Sequence, residues 1–167
     1  MAPDTVTGRS GLRDLLMLVL FAGGCLAAGS AVGSMTGPAI EGWYDTLVLP
    51  SFQPPNIAFP IAWTILYLLM GTAAWLVWRR YGFAGAHAAF WLFGIQLVLN
   101  LSWTPVFFGA RSIGGGLVLI VIILVAVLAT TIAFWRKAPL AGVLFLPYLG
   151  WVGFATFLNF TIWRLNP

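Results

Sequence analysis

Charge is the scarcest property of this 167-residue sequence, which holds only eight basic and four acidic residues. These residues border five uncharged stretches, which cover residues 15–40, 46–78, 81–110, 112–135 and 138–163. A helix of roughly 20 residues crosses the hydrocarbon core of a bilayer, and each stretch is long enough to hold one. Because a charge at the bilayer centre is costly, uncharged stretches of this length indicate membrane spans.

The residues that carry most catalytic and metal chemistry are nearly absent. Cys25 is the only cysteine, so an intrachain disulfide and a multi-cysteine metal site are excluded. The uncharged stretches contain no carboxylate, lysine or arginine, which leaves a general acid–base pair or a proton relay without members. The only histidine, His87, is interpreted as an interfacial or packing residue, with a haem ligand as the alternative. The basic residues form no run, so no nucleic-acid partner is expected.

Apolar residues dominate what remains. They make up 61% of the sequence, and the mean hydropathy is +0.98. Transmembrane strands alternate apolar and polar residues, whereas residues 117–129 are apolar on every side. We therefore predict an all-α integral membrane protein in which residues 1–167 form one domain, a bundle of five transmembrane helices. The spans are predicted near residues 12–34, 57–78, 84–108, 113–135 and 139–163.

The basic residues are divided unevenly between the two sides of this bundle. The side of the amino terminus receives Arg9, Arg13, Arg79, Arg80, Arg136 and Lys137, and the other side receives Arg111 and Arg164. By the positive-inside rule, the amino terminus of this multi-pass protein is expected inside. The first segment resembles a secretion signal, but its apolar run continues to Met35, which favours a retained helix.

Aromatic and amide side chains are the remaining candidates for function, with nine Trp, thirteen Phe and four Tyr in the chain. Three sets of them share a helix face at spacings of three or four residues. They are Gln96, Asn100, Trp103 and Phe107; Trp63 and Tyr67; and Trp151, Ala155, Leu158 and Asn159. One interpretation is that the amides bond neighbouring helices. The other is a flat apolar pocket, walled by Trp and Tyr, for a large planar ligand.

Three groups of motifs occur in order across residues 43–166. The first contains Trp43-Tyr44, Leu47, Pro50, Pro54-Pro55, Phe59-Pro60, Trp63, Leu66-Tyr67 and Met70-Gly71. The second contains Gln96-Leu97, Leu99-Asn100, Trp103, Pro105 and Phe107-Phe108-Gly109-Ala110-Arg111. The third contains Pro147-Tyr148-Leu149, Trp151, Phe154-Ala155 and Leu158-Asn159. In order and spacing, these motifs closely resemble the tryptophan-rich sensory protein/translocator protein family (TspO/MBR).

The resemblance implies a cavity, closed by the first loop, that binds porphyrins and haem-related tetrapyrroles. In mitochondrial relatives the ligands also include cholesterol and synthetic benzodiazepine-type compounds. Transferred by motif, the ligand-binding residues are Trp43, Trp63, Tyr67, Asn100, Trp103, Trp151, Ala155, Leu158 and Asn159. Porphyrin photo-degradation, if this chain performs it, would depend on Trp63 and Trp151. No metal and no required cofactor is implied beyond the tetrapyrrole ligand.

This chain departs from the family pattern at Phe52, Ile57 and Gly115, where relatives often carry larger aromatic residues. The departures predict a pocket rim of different shape. In the short pattern associated with cholesterol, Leu158 and Arg164 align but Phe160 replaces Tyr, and the pattern is weak even when complete. A bacterial tetrapyrrole-linked role is therefore expected rather than a sterol-linked one.

The family also suggests a homodimer, and two spans carry small residues that allow close helix contact. The first span has Gly29, Gly33 and Gly37, which are interpreted as internal packing, and the third has Ala86 and Gly94. The third span is the expected dimer contact.

Three functions remain open: a tetrapyrrole-binding sensory or regulatory protein, a carrier of such ligands, and a light-dependent enzyme that oxidises bound porphyrin. A carrier normally needs an ion-coupling site, and the enzyme has only indoles for reactive groups. Binding requires neither, so it is the preferred interpretation.

Overall fold

Five long helices form the part of the chain that the computed structural model describes, which is residues 11–34, 36 and 42–167. They are α1 (Gly11–Gly33), α2 (Ala58–Gly85), α3 (His87–Thr104), α4 (Ile113–Lys137) and α5 (Pro139–Leu165), and no strand occurs among the described residues. Each helix, with α3 counted through Gly109, is long and apolar enough to cross a membrane. The predicted all-α fold with five membrane-spanning helices is confirmed.

The second helix continues beyond its predicted end at residue 78. The range of α2 extends to Gly85, but Gly82 within it has non-helical dihedral angles, so the turn between the second and third spans lies inside the predicted connection over residues 79–83. Charged residues do not end a helix at the membrane surface, because an arginine stem can extend towards the interface. The chain turns instead at Gly82, whose φ of 64° is a conformation that favours glycine.

A proline changes the end of the third span. The predicted helix over residues 84–108 stops at Thr104, and Pro105–Gly109 form a wider π-helical turn closed by the Ala110 amide donating to the Pro105 carbonyl at 2.8 Å. Proline lacks the amide hydrogen that a regular helix needs and crowds the preceding turn. The turn lies beneath the first loop, where Tyr44 contacts Phe107 and Phe108.

The first helix packs chiefly against α2. Their backbones meet closely at Gly71, where a Cβ atom would lie 2.4 Å from the Ala22 Cα. At one end of this pair, Asp14 Oδ2 forms an ion pair with Arg79 Nε at 3.0 Å, and Trp75 Nε1 donates to Asp14 Oδ1 at 3.2 Å. The remaining helices close the bundle, with α4 and α5 forming the most extensive helix pair.

Candidate functional site

A cavity of about 500 Å3 lies inside the bundle, lined by all five helices and by Tyr44 of the first loop. Eight of the nine predicted site residues line it: Trp63, Tyr67, Asn100, Trp103, Trp151, Ala155, Leu158 and Asn159. They come from three helices, so the motifs that are far apart in sequence converge on one space. Whether these residues bind a ligand stays a prediction, but their juxtaposition is a property of the fold.

Trp43, the ninth predicted residue, is not among the residues that line the cavity. Its ring packs edge-on against Phe107 with ring centroids 5.7 Å apart, so it supports the cavity wall from behind. Tyr44, the next residue, lines the cavity instead. The 3₁₀ helix Tyr44–Thr46 begins here, and successive residues of a helix point in different directions. The family motif contains both aromatic residues, and only the loop conformation distinguishes them.

Tyr44 closes one end of the cavity. It is buried, and its ring lies 6.1 Å from Phe107 and 5.4 Å from Phe108, measured between ring centroids. Burial raises the pKa of Tyr44 to about 12, so the hydroxyl stays protonated at neutral pH and donates to Gln53 Oε1 at 3.2 Å. Asp45, the next residue, is exposed.

Indole rings form the walls of the cavity. Trp63 packs against Tyr67 at a centroid distance of 5.6 Å and against Tyr148 at 6.2 Å. On another side, Trp151 meets Phe59 edge-on at 6.0 Å. Such contacts fix the orientation of each ring. The result is a set of rigid flat surfaces around an apolar space.

Trp103 is held both by its ring and by its polar atom. Its ring stacks on Phe107 at a centroid distance of 4.7 Å, and its Nε1 donates to the Gly116 carbonyl at 3.1 Å. The absence of a side chain at Gly116 makes room for this contact, since a Cβ there would lie 2.6 Å from the Phe107 ring. The inward face predicted for α3 is therefore packed against α4.

The two amide side chains on α3 have different surroundings, which their helical spacing did not predict. Asn100 lines the cavity and accepts a hydrogen bond from the Tyr67 hydroxyl at 2.7 Å. Gln96, one turn earlier, is fully buried behind the wall and accepts from the Tyr148 hydroxyl at 3.0 Å. The two tyrosine–amide pairs tie α3 to α2 and to α5, respectively. The amides on this face of α3 therefore fit both interpretations, because both bond to neighbouring helices and Asn100 also lines the cavity.

Asn159 has one polar atom without a hydrogen-bond partner. Its Nδ2 donates to the Ile113 carbonyl at 3.2 Å, but its Oδ1 is buried and has no donor among the described residues. A buried acceptor without a donor is costly in an apolar environment. Asn159 therefore brings a buried oxygen without a hydrogen-bond partner to a residue position that lines the cavity.

The cavity reaches the surface of the bundle between α1 and α2. The exposed residues on this side are Ser30, Gly33, Pro60 and Thr64, which also line the cavity. The sequence interpretation missed them, since small and weakly polar residues are common in spans for packing reasons alone.

The chemical character of the cavity is aromatic and uncharged. Among the described residues that line it there is no Asp, Glu, Lys, Arg or His, and the described part of the chain holds no group of three His, Cys, Asp or Glu side chains that could bind a metal. His87 is exposed at the start of α3 and lies outside the cavity, with Nδ1 3.3 Å from the Ala84 carbonyl oxygen. The arrangement can stack flat rings and offer a few neutral hydrogen-bond groups.

The fold and the cavity together define a class of protein, a five-helix membrane bundle with an internal aromatic pocket. Residues 21–164 match the TspO/MBR family, and the chain belongs to that family. It is 43% identical over 159 residues to the tryptophan-rich protein TspO of Chlorobaculum tepidum, covering 93% of this chain and 99% of that one. It is 40% identical over 153 residues to the tryptophan-rich sensory protein of Cereibacter sphaeroides, covering 92% and 93%. It is 41% identical over 126 residues to the human translocator protein, covering 74% and 75%.

Proposed function

We propose that this protein binds a planar tetrapyrrole in the aromatic cavity and serves a sensory or regulatory role in tetrapyrrole metabolism or stress. The observation that carries the proposal is the convergence of Trp63, Trp103 and Trp151 on one uncharged cavity of about 500 Å3. Cavities of roughly 300–1,000 Å3 with apolar walls and few polar groups are typical small-molecule sites. The names of the relatives, which include both a sensory protein and a translocator, are consistent with a bound ligand.

Binding is favoured over transport because the described lining of the cavity lacks the groups that coupling to an ion gradient requires. Intramembrane ionisable residues mark most ion and proton pathways, and the described lining residues include no carboxylate, lysine, arginine or histidine. The described lining residues also supply no acid–base pair, so enzymatic activity would have to rely on the indoles.

Protoporphyrin IX is expected to quench tryptophan fluorescence saturably in this protein reconstituted in nanodiscs. Replacing both Trp63 and Trp151 with phenylalanine should weaken the affinity roughly 10-fold, because each indole stack is worth about 1 kcal/mol and phenylalanine restores only part of it. Trp91→Phe is the matched control, since this tryptophan is 72% exposed on α3, away from the cavity. Equal affinities in all three proteins would remove the two indoles from the site.

The same titration distinguishes binding from photo-oxidation. Under binding alone, the porphyrin absorbance falls in light with oxygen at the same rate in the native protein and in the double variant. A loss of absorbance that requires both light and oxygen, and that disappears in the Trp63→Phe/Trp151→Phe variant, would support the light-dependent enzyme instead. Cholesterol added as a competitor tests the sterol alternative, because a sterol that binds in the cavity would displace the porphyrin.

The distribution of the basic residues also indicates how the protein is oriented in the membrane. We infer that the amino terminus faces the cytoplasm, because six of the eight basic residues lie on its side of the bundle. The first loop and the lid end of the cavity then face the other side. Labelling a cysteine introduced at Asp45 with a membrane-impermeant maleimide should succeed in intact cells.

A homodimer is expected to form through α3. Gly94 faces open space, with nothing within 4 Å of an added Cβ, and Trp91, Ile95 and Val98 are exposed around it. Gly94→Leu should shift the protein towards monomer in detergent, because a leucine prevents close helix approach. Gly150→Leu is the control, since Gly150 also faces open space but lies on α5. A dimer that survives Gly94→Leu and is lost in Gly150→Leu would move the interface to α5.

A further inference from the structure

The first loop crosses the end of the bundle as an extended segment that belongs to no sheet. Residues 48–50 have no regular secondary structure, and Leu47 and Leu49 pack against a buried cluster of Tyr44, Phe107, Leu158 and Ile162. The Val48 side chain between them is exposed. An extended chain without a neighbouring strand leaves backbone amide and carbonyl groups unpaired. Apolar contact alone therefore does not account for the position of this segment.

Asn166, at the end of α5, supplies the missing partner. The Val48 amide donates to Asn166 Oδ1 at 2.9 Å, and Asn166 Nδ2 donates to the Val48 carbonyl at 3.0 Å. The second Nδ2 hydrogen reaches the Ile162 carbonyl at 2.8 Å, which anchors the side chain to its own helix. One carboxamide thus pairs both backbone groups of Val48 as a neighbouring strand would, and it satisfies a helix-end carbonyl as well.

We propose that Asn166 is a latch that holds the first loop across the cavity and so controls how fast a ligand enters and leaves. The gating part rests on the proposed function, whereas the latch itself does not. Among described residues 42–57, Val48 is the only one with a hydrogen bond to a helix other than α2, the helix into which the loop leads. Tyr44 bonds within the loop, to Gln53. Releasing Asn166 therefore removes the loop's polar attachment to the rest of the bundle.

The geometry requires asparagine. Aspartate keeps an acceptor for the Val48 amide but has no donor for the Val48 and Ile162 carbonyls, and its charge would face both oxygens. A second attachment of the loop, the stack of Phe52 on Phe157 with ring centroids 5.2 Å apart, is apolar and exposed. Variants of the two attachments therefore show whether the Asn166 hydrogen bonds or apolar contacts in general hold the loop in place.

The first test is hydrogen exchange in the ligand-free, full-length protein in nanodiscs. Asn166→Ala should speed exchange in peptides covering residues 46–53 roughly 10-fold, since two hydrogen bonds are lost. Asn166→Asp, which keeps an acceptor for the Val48 amide but loses both donors, should speed exchange by a smaller factor. The control is Thr161→Val, whose hydroxyl bonds only the Phe157 carbonyl within α5. Exchange in Asn166→Ala that equals that of the native chain would overturn the latch.

The second test measures protoporphyrin IX dissociation by stopped-flow fluorescence. Asn166→Ala should raise both the association and the dissociation rates roughly 10-fold and change the affinity less, as expected for a gate. Phe157→Leu should raise them by a smaller factor. Faster exchange with unchanged ligand rates would overturn gating while leaving the loop attachment in place. Faster exchange in a protein that binds no porphyrin would support the latch and reject the tetrapyrrole proposal, so the two failures are distinguishable.

Discussion

Replacing Gly71 with alanine is expected to lower the free energy of unfolding by about 3 kcal/mol, near the upper end for overpacking of a close contact. The added Cβ would lie 2.4 Å from the Ala22 Cα and 2.5 Å from the Phe21 carbonyl oxygen. Both are backbone atoms of α1, which cannot rotate aside as a side chain does. The substitution therefore has to push α1 away from α2 over the whole contact.

Thermal unfolding in detergent, followed by circular dichroism, checks this expectation. A loss of about 3 kcal/mol corresponds to roughly 10 °C in the midpoint for a chain of this size. Gly150→Ala is the matched control, because a Cβ there meets nothing within 4 Å and alanine favours helix over glycine. If both variants melt at the native temperature, the close approach of α1 and α2 at Gly71 is wrong.

The glycines illustrate what a sequence reveals about packing. Of the three glycines in the first span that were predicted to pack internally, Gly29 does so, since an added Cβ there would meet the Tyr67 ring. At Gly33, however, nothing lies within 4 Å, and Gly37 is outside the described residues. Small residues can be identified without a structure, but their partners depend on how two helices are aligned, which a single helix pattern does not contain.

The number of spans was predictable because it follows from the cost of charge in hydrocarbon, a property of composition. The ends of the spans were less so. Arg79 and Arg80 stopped the predicted second span early although the helix continues, and Pro105 produced a π-helical turn within the predicted third span. In both places the local geometry results from side-chain reach and backbone hydrogen bonding, which charge counts do not register.

The sequence predicted which face of α3 points into the bundle, but not which residues on that face line the cavity. Helical spacing placed Gln96, Asn100 and Trp103 on one inward side of α3, and all three do face the interior. Only Asn100 and Trp103 line the cavity, whereas Gln96 is fully buried and bonded to the Tyr148 hydroxyl. Which inward residue meets an empty volume depends on the sizes of side chains from other helices.

Replacing Gln96 with leucine is expected to lower the free energy of unfolding by about 2 kcal/mol, the cost of leaving a buried donor unsatisfied. The Tyr148 hydroxyl is fully buried and donates to Gln96 Oε1 at 3.0 Å, so the variant leaves it without that acceptor. The only other bond of the Gln96 side chain is a weak contact of Nε2 with the Met70 sulfur at 3.9 Å. Tyr148→Phe removes the donor instead and should cost a similar amount.

The double variant Gln96→Leu/Tyr148→Phe separates a specific bond from general packing. If the pair is the source of the loss, removing both partners leaves no unpaired group, and the double variant should be more stable than the sum of the single losses implies, by about 1 kcal/mol.

Porphyrin affinity should stay within a factor of two, roughly 0.4 kcal/mol, because neither side chain lines the cavity. Asn100→Leu is the contrasting variant on the same face: it removes the acceptor for the Tyr67 hydroxyl at the cavity wall and should weaken porphyrin binding. Strictly additive losses in the cycle, or a loss of affinity in Gln96→Leu equal to that in Asn100→Leu, would contradict the division of this face into a structural pair and a binding pair.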